Sequence, residues 1–308
     1  MQVYIIRRLL QTIIVVFGVS FITFGLMYLT GDPVQVLLGN ATDRMTQEQI
    51  EEYRVKRGFD RPWYVQYADF MIHAIQGDFG DSYKFFRPAW DVVSERLPAT
   101  LELSAIALFI SVVISIPIGV LSATKPNTLI DNVATLGSLL GQSIPNFWLA
   151  LVMMIIFAVE LEWLPVSGRG DWRNLVMPAF TLASFSLAQN MRMTRSTLLE
   201  YIHSDFVRTA RAKGLKESTV ISRHALRNAL LPLVTLIGLQ VGTLLGGSVI
   251  IESIFAWPGV GRLIYQSINN ADFPVVQTGV IIIAFTTTMA NLLVDIVYAY
   301  LDPRIRYD

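Results

Sequence analysis

The chain contains no cysteine. No disulfide can hold any part of it, and no thiol is available as a nucleophile or metal ligand. Histidine is almost as scarce, with three residues in all, His73, His203 and His224. They are scattered, and the topology read below puts His73 on the opposite side of a membrane from the other two, so no shared metal site is expected. No HExxH or GxSxG spacing occurs, and no acid–base or nucleophile pair lies within the apolar runs, so nothing points to an intramembrane enzyme. Gly242–Ser248 imitates a phosphate loop by spacing, but it lacks the lysine and lies inside an apolar run. Asp78-Phe79-Gly80 stands without any other kinase part. Net charge is zero and selects no class of partner. There is no low-complexity tract, and no internal repeat of the kind a secondary transporter's inverted halves would leave.

What the chain has in abundance is apolar sequence. Of its 308 residues 53% are hydrophobic, with a mean hydropathy of +0.49, and they come in blocks. A bilayer core of roughly 30 Å takes about 20 apolar residues as a helix. Six blocks approach that length: Leu9–Thr30, Leu101–Thr124, Val133–Val159, Leu175–Met191, Ala229–Ile251 and Val275–Tyr300. The fourth is the weakest, diluted by Ser184, Ser186, Gln189 and Asn190. No period-two alternation suggests a barrel, and lipid leaves an open strand unsatisfied. The expected fold is an all-α, multi-pass membrane protein with six transmembrane helices.

Basic residues in short loops set the orientation. Arg7 and Arg8 precede the first block, Lys125 lies between the second and third, and Arg304 and Arg306 sit in the tail. The loop after the fourth block holds eight Lys and Arg, counted from Arg192 to Arg227. With six spans these all fall on one side, so both termini are expected in the cytoplasm. The long outer loop Gly31–Pro98 carries eleven Asp and Glu against eight Lys and Arg. The first block is about 22 residues long with no cleavage site after it, and reads as an uncleaved first helix.

Two sections are therefore expected. Residues 1–98 supply one span and a small, mostly helical extracytoplasmic segment. Residues 99–308 supply a five-helix core with a cytoplasmic loop at 192–228. In the outer segment Thr46, Glu48 and Gln49 signal a helix start and Gly58 its end, and Pro62 opens a second amphipathic run that stops at Gly77.

Four features inside the spans carry candidate chemistry. Gln142, Ser143 and Asn146 flank Pro145 in the third span, where a lost hydrogen bond kinks the helix. They either line a path for a polar solute or hydrogen-bond between helices. Gly238, Gly242 and Gly246, four apart, bare one face of the fifth span for close packing, or for sliding against a partner. Thr287, Asn291 and Asp295 form a polar stripe in the sixth, and Asp295 either serves transport or pairs with a basic loop residue. Glu102 in the first turn of the second span reads best as a charge complementing the helix dipole.

The loop after the fourth span decides among function classes. RTARAKGL, Arg208–Leu215, followed by RHALRNALLP, Arg223–Pro232, resembles the coupling motif of inner-membrane permeases of ATP-binding-cassette importers. It resembles most the branch that imports di- and oligopeptides, with nickel and glutathione permeases as near relatives. In the general motif Glu-Ala-Ala precedes a glycine. Here Arg208, Thr209 and Ala210 stand in that place and Gly214 is the glycine, so only Ala210 and Gly214 match. The gap from Gly214 to Leu231-Pro232 is also longer than in the general motif, and both departures are similar to the peptide branch. The opening IIRRLLQTIIVVFGVSFITFGLMYLTGDP, GDFGDSY at Gly77–Tyr83, RLPATLEL at Arg96–Leu103, GGSVIIESIFAWPGVGRL at Gly246–Leu263 and the ending DIVYAYLDPRIRY resemble the same branch.

The resemblance implies a type I importer permease fold in a bacterial inner membrane and a heteromeric complex. It implies a second homologous permease, two cytoplasmic ATPases that dock on Arg208–Gly214, and an extracytoplasmic substrate-binding protein. ATP and Mg would be bound by the ATPases, and this chain would bind no cofactor, no metal and no nucleic acid. Di- or oligopeptides are the implied substrates; nickel, glutathione or an oligosaccharide on the same scaffold is the alternative, and an ATP-independent carrier the second. The segment Trp63–Phe79 and the loop Glu252–Arg262 are expected to contact the binding protein. Without the resemblance, the basic loop would read as a solvated face drawn to anionic lipid, about 1 kcal/mol per basic residue.

Overall fold

The computed structural model describes residues 2–29, 32–38 and 45–301. Among these the regular structure is helical, apart from one isolated bridge between Asp81 and Pro88. The helices are α1 (Gln2–Leu29), α2 (Pro33–Leu38), α3 (Gln47–Lys56), α4 (Trp63–Ile75), α5 (Ala89–Ser94), α6 (Leu97–Thr124), α7 (Leu129–Ser143) and α8 (Asn146–Met153). They continue with α9 (Trp172–Ile202), α10 (Asp205–Ala212), α11 (Glu217–Thr219), α12 (Leu226–Ile254), α13 (Val260–Asn269) and α14 (Phe273–Leu301). Two π-helical turns, Met154–Glu160 and Val220–Ala225, extend α8 and α11.

Four helical stretches among the described residues are long and apolar enough to cross a membrane: Arg7–Met27, Ala89–Thr124, Glu217–Ile254 and Phe273–Val294. A fifth arises if α7 and α8 with its π turn are one broken span, bent by 108°. The expected kink at Pro145 is thus a full break. Proline disfavours helical backbone in the residue before it, and Ile144 is extended at φ −80°, ψ 122°. The remaining expected span corresponds to α9. Its 31 residues reach about 46 Å at 1.5 Å each, so length is sufficient and composition is not. Thr181, Ser184, Ser186, Asn190, Thr194 and Thr197 on α9 are buried, so protein rather than lipid surrounds its polar groups.

The chain forms two compact units. One runs to Thr100 and includes Pro258–Met289; the other is Leu101–Trp257 with the chain from Ala290 on. In the first, Ala89, Val92 and Val93 of α5 pack with Val260 and Leu263 of α13 and Val275 and Ile282 of α14. The loop before α5 is pinned by Asp272, which is fully buried and accepts hydrogen bonds from Ser82 Oγ and from the backbone N–H of Tyr83 and Lys84. Burial there pushes the Tyr83 phenol up to about 12. Thr100 Oγ1 accepts the N–H of Val260 at 2.8 Å, satisfying one of the donors a helix start leaves over. A smaller cluster joins Phe24 and Met27 of α1 to Tyr67 of α4. The expected start of α3 is a full capping box, with Thr46 and Gln49 exchanging side-chain and backbone bonds. Gly58 and Gly77 close α3 and α4 in the left-handed region, at φ +72° and +86°.

The second unit is organised around α9, packed against α7, α8 and α12. At Gly119 the backbones are so close that a Cβ would lie 2.7 Å from Thr194 Cβ and 2.8 Å from the Met191 carbonyl oxygen. Asn190 and Gln240, both buried, exchange two amide hydrogen bonds of 3.1 and 3.0 Å, and Gln240 Nε2 also donates to Gln189 Oε1.

Candidate functional site

Helix α10 is two turns long and has two unlike faces. Val207 and Ala210 are buried among Leu198 of α9, Ala123 of α6, Val220 and Ala225 of the second π turn, and Ala229 of α12. Fully burying a valine side chain stabilises by about 1.5–3 kcal/mol, so two apolar residues suffice to seat so short a helix. Phe206, Arg208, Thr209, Arg211, Ala212 and Lys213 are exposed. Of the four residues expected to couple, Arg208, Thr209 and Gly214 face solvent and Ala210 faces inward. Ala210 is small because the helix must sit close to its neighbours.

A brace holds the helix end. Arg211 Nε and Nη2 donate to both carboxylate oxygens of Glu217 at 3.1 and 2.7 Å, and Nη1 donates to the Ile202 carbonyl at 3.3 Å. The hydrogen bonds it donates to Glu217 hold the Arg211 guanidinium above its ordinary pKa. Between the braced residues the chain reverses at Gly214, φ +75°, where an added Cβ would meet nothing within 4 Å. Arg208 makes a 3.7 Å contact to Asp205, but both side chains are open to water, so its charge stays available to a partner. Exposed Phe206 and Leu215 (each 41%) add apolar area beside Arg208 and Thr209.

The polar groups at the helix break are partly satisfied. Asn146 Oδ1 accepts from Ser184 Oγ at 3.3 Å, Ser143 is exposed, and Gln142 Nε2 is buried with no hydrogen-bond partner among the described residues. Asn291 Oδ1 is in the same state. The Asp295 side chain lies outside the described residues. Of the glycine stripe, Gly238 is where α14 comes closest, since a Cβ there would lie 2.2 Å from Val294 Cγ1. Gly242 is half-buried, and around Gly246 there is open space. The helix carrying Glu102 begins at Leu97 and has no acidic residue in its first turn, so Glu102 is not the dipole-complementing charge expected; it forms a salt bridge with Arg169, 2.5 Å from Nη2, and holds a loop. Glu252, Phe255 and Trp257 are buried, so much of the Glu252–Arg262 loop is packed rather than presented.

Sequence reading missed the most polar site of this unit. Asp131, in the first turn of α7, is 2% exposed. It accepts from Arg195 Nε and Nη2 at 2.6 and 2.9 Å, from Ser122 Oγ, and from the Asn127 N–H at 2.9 Å. Arg195, which the sequence groups with the loop charges, lies about two turns inside the end of α9. Nothing local to Asp131 signals a partner 64 residues away. No group of three or more metal-ligating side chains occurs among the described residues.

Long apolar helices, with a short amphipathic helix seated against α6, α9 and α12 and a braced glycine turn behind it, are those of a multi-pass membrane protein. Residues 115–307 match the family of binding-protein-dependent transport system inner membrane components, and residues 1–104 match the N-terminal region of such components. The chain belongs to this family: it is an inner-membrane permease subunit of an ABC importer, and ATP is hydrolysed by separate subunits. It is 38% identical to a dipeptide transport system permease protein of Alkalihalophilus pseudofirmus, with all of both chains covered. It is 39% identical to an oligopeptide transport system permease protein of Bacillus subtilis, again end to end, and 37% identical to a glutathione transport system permease protein of Escherichia coli over 99% of each chain. Its fold is similar to the inward-facing MetNI methionine ABC transporter, with a TM-score of 0.58 and 22% identity over 68% of this chain and 96% of that one.

Proposed function

We propose that the chain moves di- or oligopeptides inward across the bacterial inner membrane, paired with a second, homologous permease. Two cytoplasmic ATPases drive it, and an extracytoplasmic binding protein delivers the substrate. Both termini are cytoplasmic on this reading. The observation that carries the substrate class is end-to-end likeness to permeases named for dipeptides and oligopeptides. The likeness to a glutathione permease points to the same chemistry, since glutathione is a tripeptide.

Coupling runs through α10. Arg208 and Thr209, with Phe206 and Leu215 beside them, form the face that enters a cleft on one ATPase, while Val207 and Ala210 pass its motion to α6, α9 and α12. Gly214 sets the angle at which the helix is presented. Inverting a 99:1 preference between two conformations takes about 5.5 kcal/mol of differential interaction, and nucleotide and binding protein supply it. Gln142, Ser143 and Asn146 at the break between α7 and α8 line the pathway. An unpartnered buried amide nitrogen at Gln142 supports this, because such a group is costly unless water or a solute meets it. Gly238 lets α14 approach α12 closely.

The test is reconstitution. The chain, purified with its co-expressed partners and placed in liposomes, should take up labelled di- and tripeptides only when ATP and the binding protein are supplied on their proper sides. Equal uptake without nucleotide would overturn the coupling assignment. ATP-dependent uptake of a non-peptide solute, with peptides excluded, would overturn the substrate class.

A further inference from the structure

Helix α4 has three distinct faces. Around a helix of 3.6 residues per turn, Trp63, Tyr67, Phe70, Met71 and Ala74 share one arc, Gln66, Asp69 and His73 a second, and Tyr64, Val65, Ala68, Ile72 and Ile75 the third. The first arc packs on α1. Tyr67 is edge-on to Phe17, Phe21 and Phe24 at 5.3–5.7 Å between centroids, and its hydroxyl lies 2.9 Å from Ser20 Oγ and donates to the Phe17 carbonyl at 3.3 Å. The second arc faces a cavity of about 340 Å³, whose other charged lining residues are Arg57, Arg61 and Asp78. The third arc is apolar and bare, with Ile72 57% and Ile75 81% exposed.

The position of the contact on α1 decides what covers that bare arc. The apolar stretch of α1 ends at Met27, and Ser20 lies seven residues before it, about 10 Å at 1.5 Å per residue. On the same stretch Leu26, Ile22 and Phe21 are exposed, as lipid-facing residues of a span are. A helix that crosses α1 there is inside the hydrocarbon, not above it, and amphipathic interfacial helices sink by a similar ~5–10 Å. We propose that α4 is embedded in the lipid leaflet at the outer end of α1, with Tyr64, Val65, Ala68, Ile72 and Ile75 against acyl chains and Asp69 and His73 turned to a water-filled cavity. The leaflet named as outer rests on the orientation proposed above; the depth does not. The expectation that Trp63–Phe79 is a surface for the binding protein is replaced, for this arc, by lipid.

The missing cysteines make the test direct. Single variants Ile72→Cys and Ile75→Cys on the apolar arc, His73→Cys on the polar arc and Glu52→Cys on α3, which buries no residue, each receive a nitroxide label. The full chain, in complex with cysteine-free partner subunits, is placed in nanodiscs of phosphatidylethanolamine and phosphatidylglycerol. Collision rates are read with dissolved oxygen, which concentrates among acyl chains, and with a water-soluble nickel chelate. At Ile72 and Ile75 the oxygen-to-nickel ratio should exceed that at Glu52 severalfold, while His73 stays near Glu52. Nickel access at Ile72 and Ile75 equal to that at Glu52 would overturn the proposal, placing α4 in water. Exclusion of both probes would also overturn it, placing a protein partner on the arc. The ratio reports depth and not side, so a reversed topology would leave it unchanged, and two independent positions guard against one variant failing to assemble.

Discussion

Replacing Gly214 isolates the conformation of the coupling turn from its contacts. The residue sits at φ +75° and a Cβ would meet nothing within 4 Å, so any loss comes from backbone strain alone. A Cβ in left-handed backbone costs roughly 1–2 kcal/mol, asparagine tolerates that region best among the other residues, and a β-branched residue tolerates it worst. The strain acts on a helix held weakly. Burial of Val207 contributes about 1.5–3 kcal/mol and the Ala210 methyl about 0.8, while the Arg211–Glu217 brace is open to water and adds little. Relaxing the turn therefore competes with a seat of about 2–4 kcal/mol, and 1–2 kcal/mol is a factor of roughly 5–30 in population. Gly214→Asn should keep near-normal ATP-dependent peptide uptake in proteoliposomes, Gly214→Ala should lose several-fold, and Gly214→Val should lose most of it. Membrane levels and basal ATPase of the complex should be unchanged in all three. Normal uptake in Gly214→Val would refute the argument. Equal loss in Asn and Val variants would also refute it, because side-chain bulk at an interface, not backbone conformation, would then be the cause.

Three further sets of substitutions test the packing of the second unit. Arg195→Met alone should lower the melting temperature of the detergent-solubilised protein by the equivalent of about 3–5 kcal/mol, since it strands the buried Asp131 carboxylate, and Asp131→Asn should cost less, since the Arg195 side chain is 28% exposed. Asp131→Leu with Arg195→Met should recover much of it, and a double variant no better than the singles would count against a buried pair. Gly238→Ala puts a Cβ 2.2 Å from Val294 Cγ1 and should cost about 1–3 kcal/mol, relieved by Val294→Ala; Gly246→Ala should cost nothing measurable. Gln240→Leu leaves the Asn190 amide unpaired in a buried site and should destabilise by about 1–3 kcal/mol, read as faster thermal inactivation; an unchanged rate would mean the amide pair is not holding α9 to α12.

What could be read from the sequence was what depends on neighbours a few residues away. Thr46 and Gln49 announce their capping box, and Gly58, Gly77 and Gly214 their left-handed turns. Pro145 was legible as a disturbance but not as a 108° break, because the outcome depends on whether Ile144 can leave the helix, and that is settled by packing. The polar pairs were invisible for a different reason. Asp131 and Arg195 are 64 positions apart, and Ser82 and Asp272 are 190 apart, and no periodicity carries information across such gaps. The segments that resemble the peptide branch show how the two kinds of signal meet. GDFGDSY holds Ser82, whose partner is Asp272, and RLPATLEL holds Thr100, whose partner is the Val260 N–H. A hydroxyl that helps to satisfy a buried carboxylate or a helix start cannot be exchanged for a methyl without losing one of those hydrogen bonds. These short strings are therefore recognisable as units even though the atoms that constrain them lie at the other end of the chain.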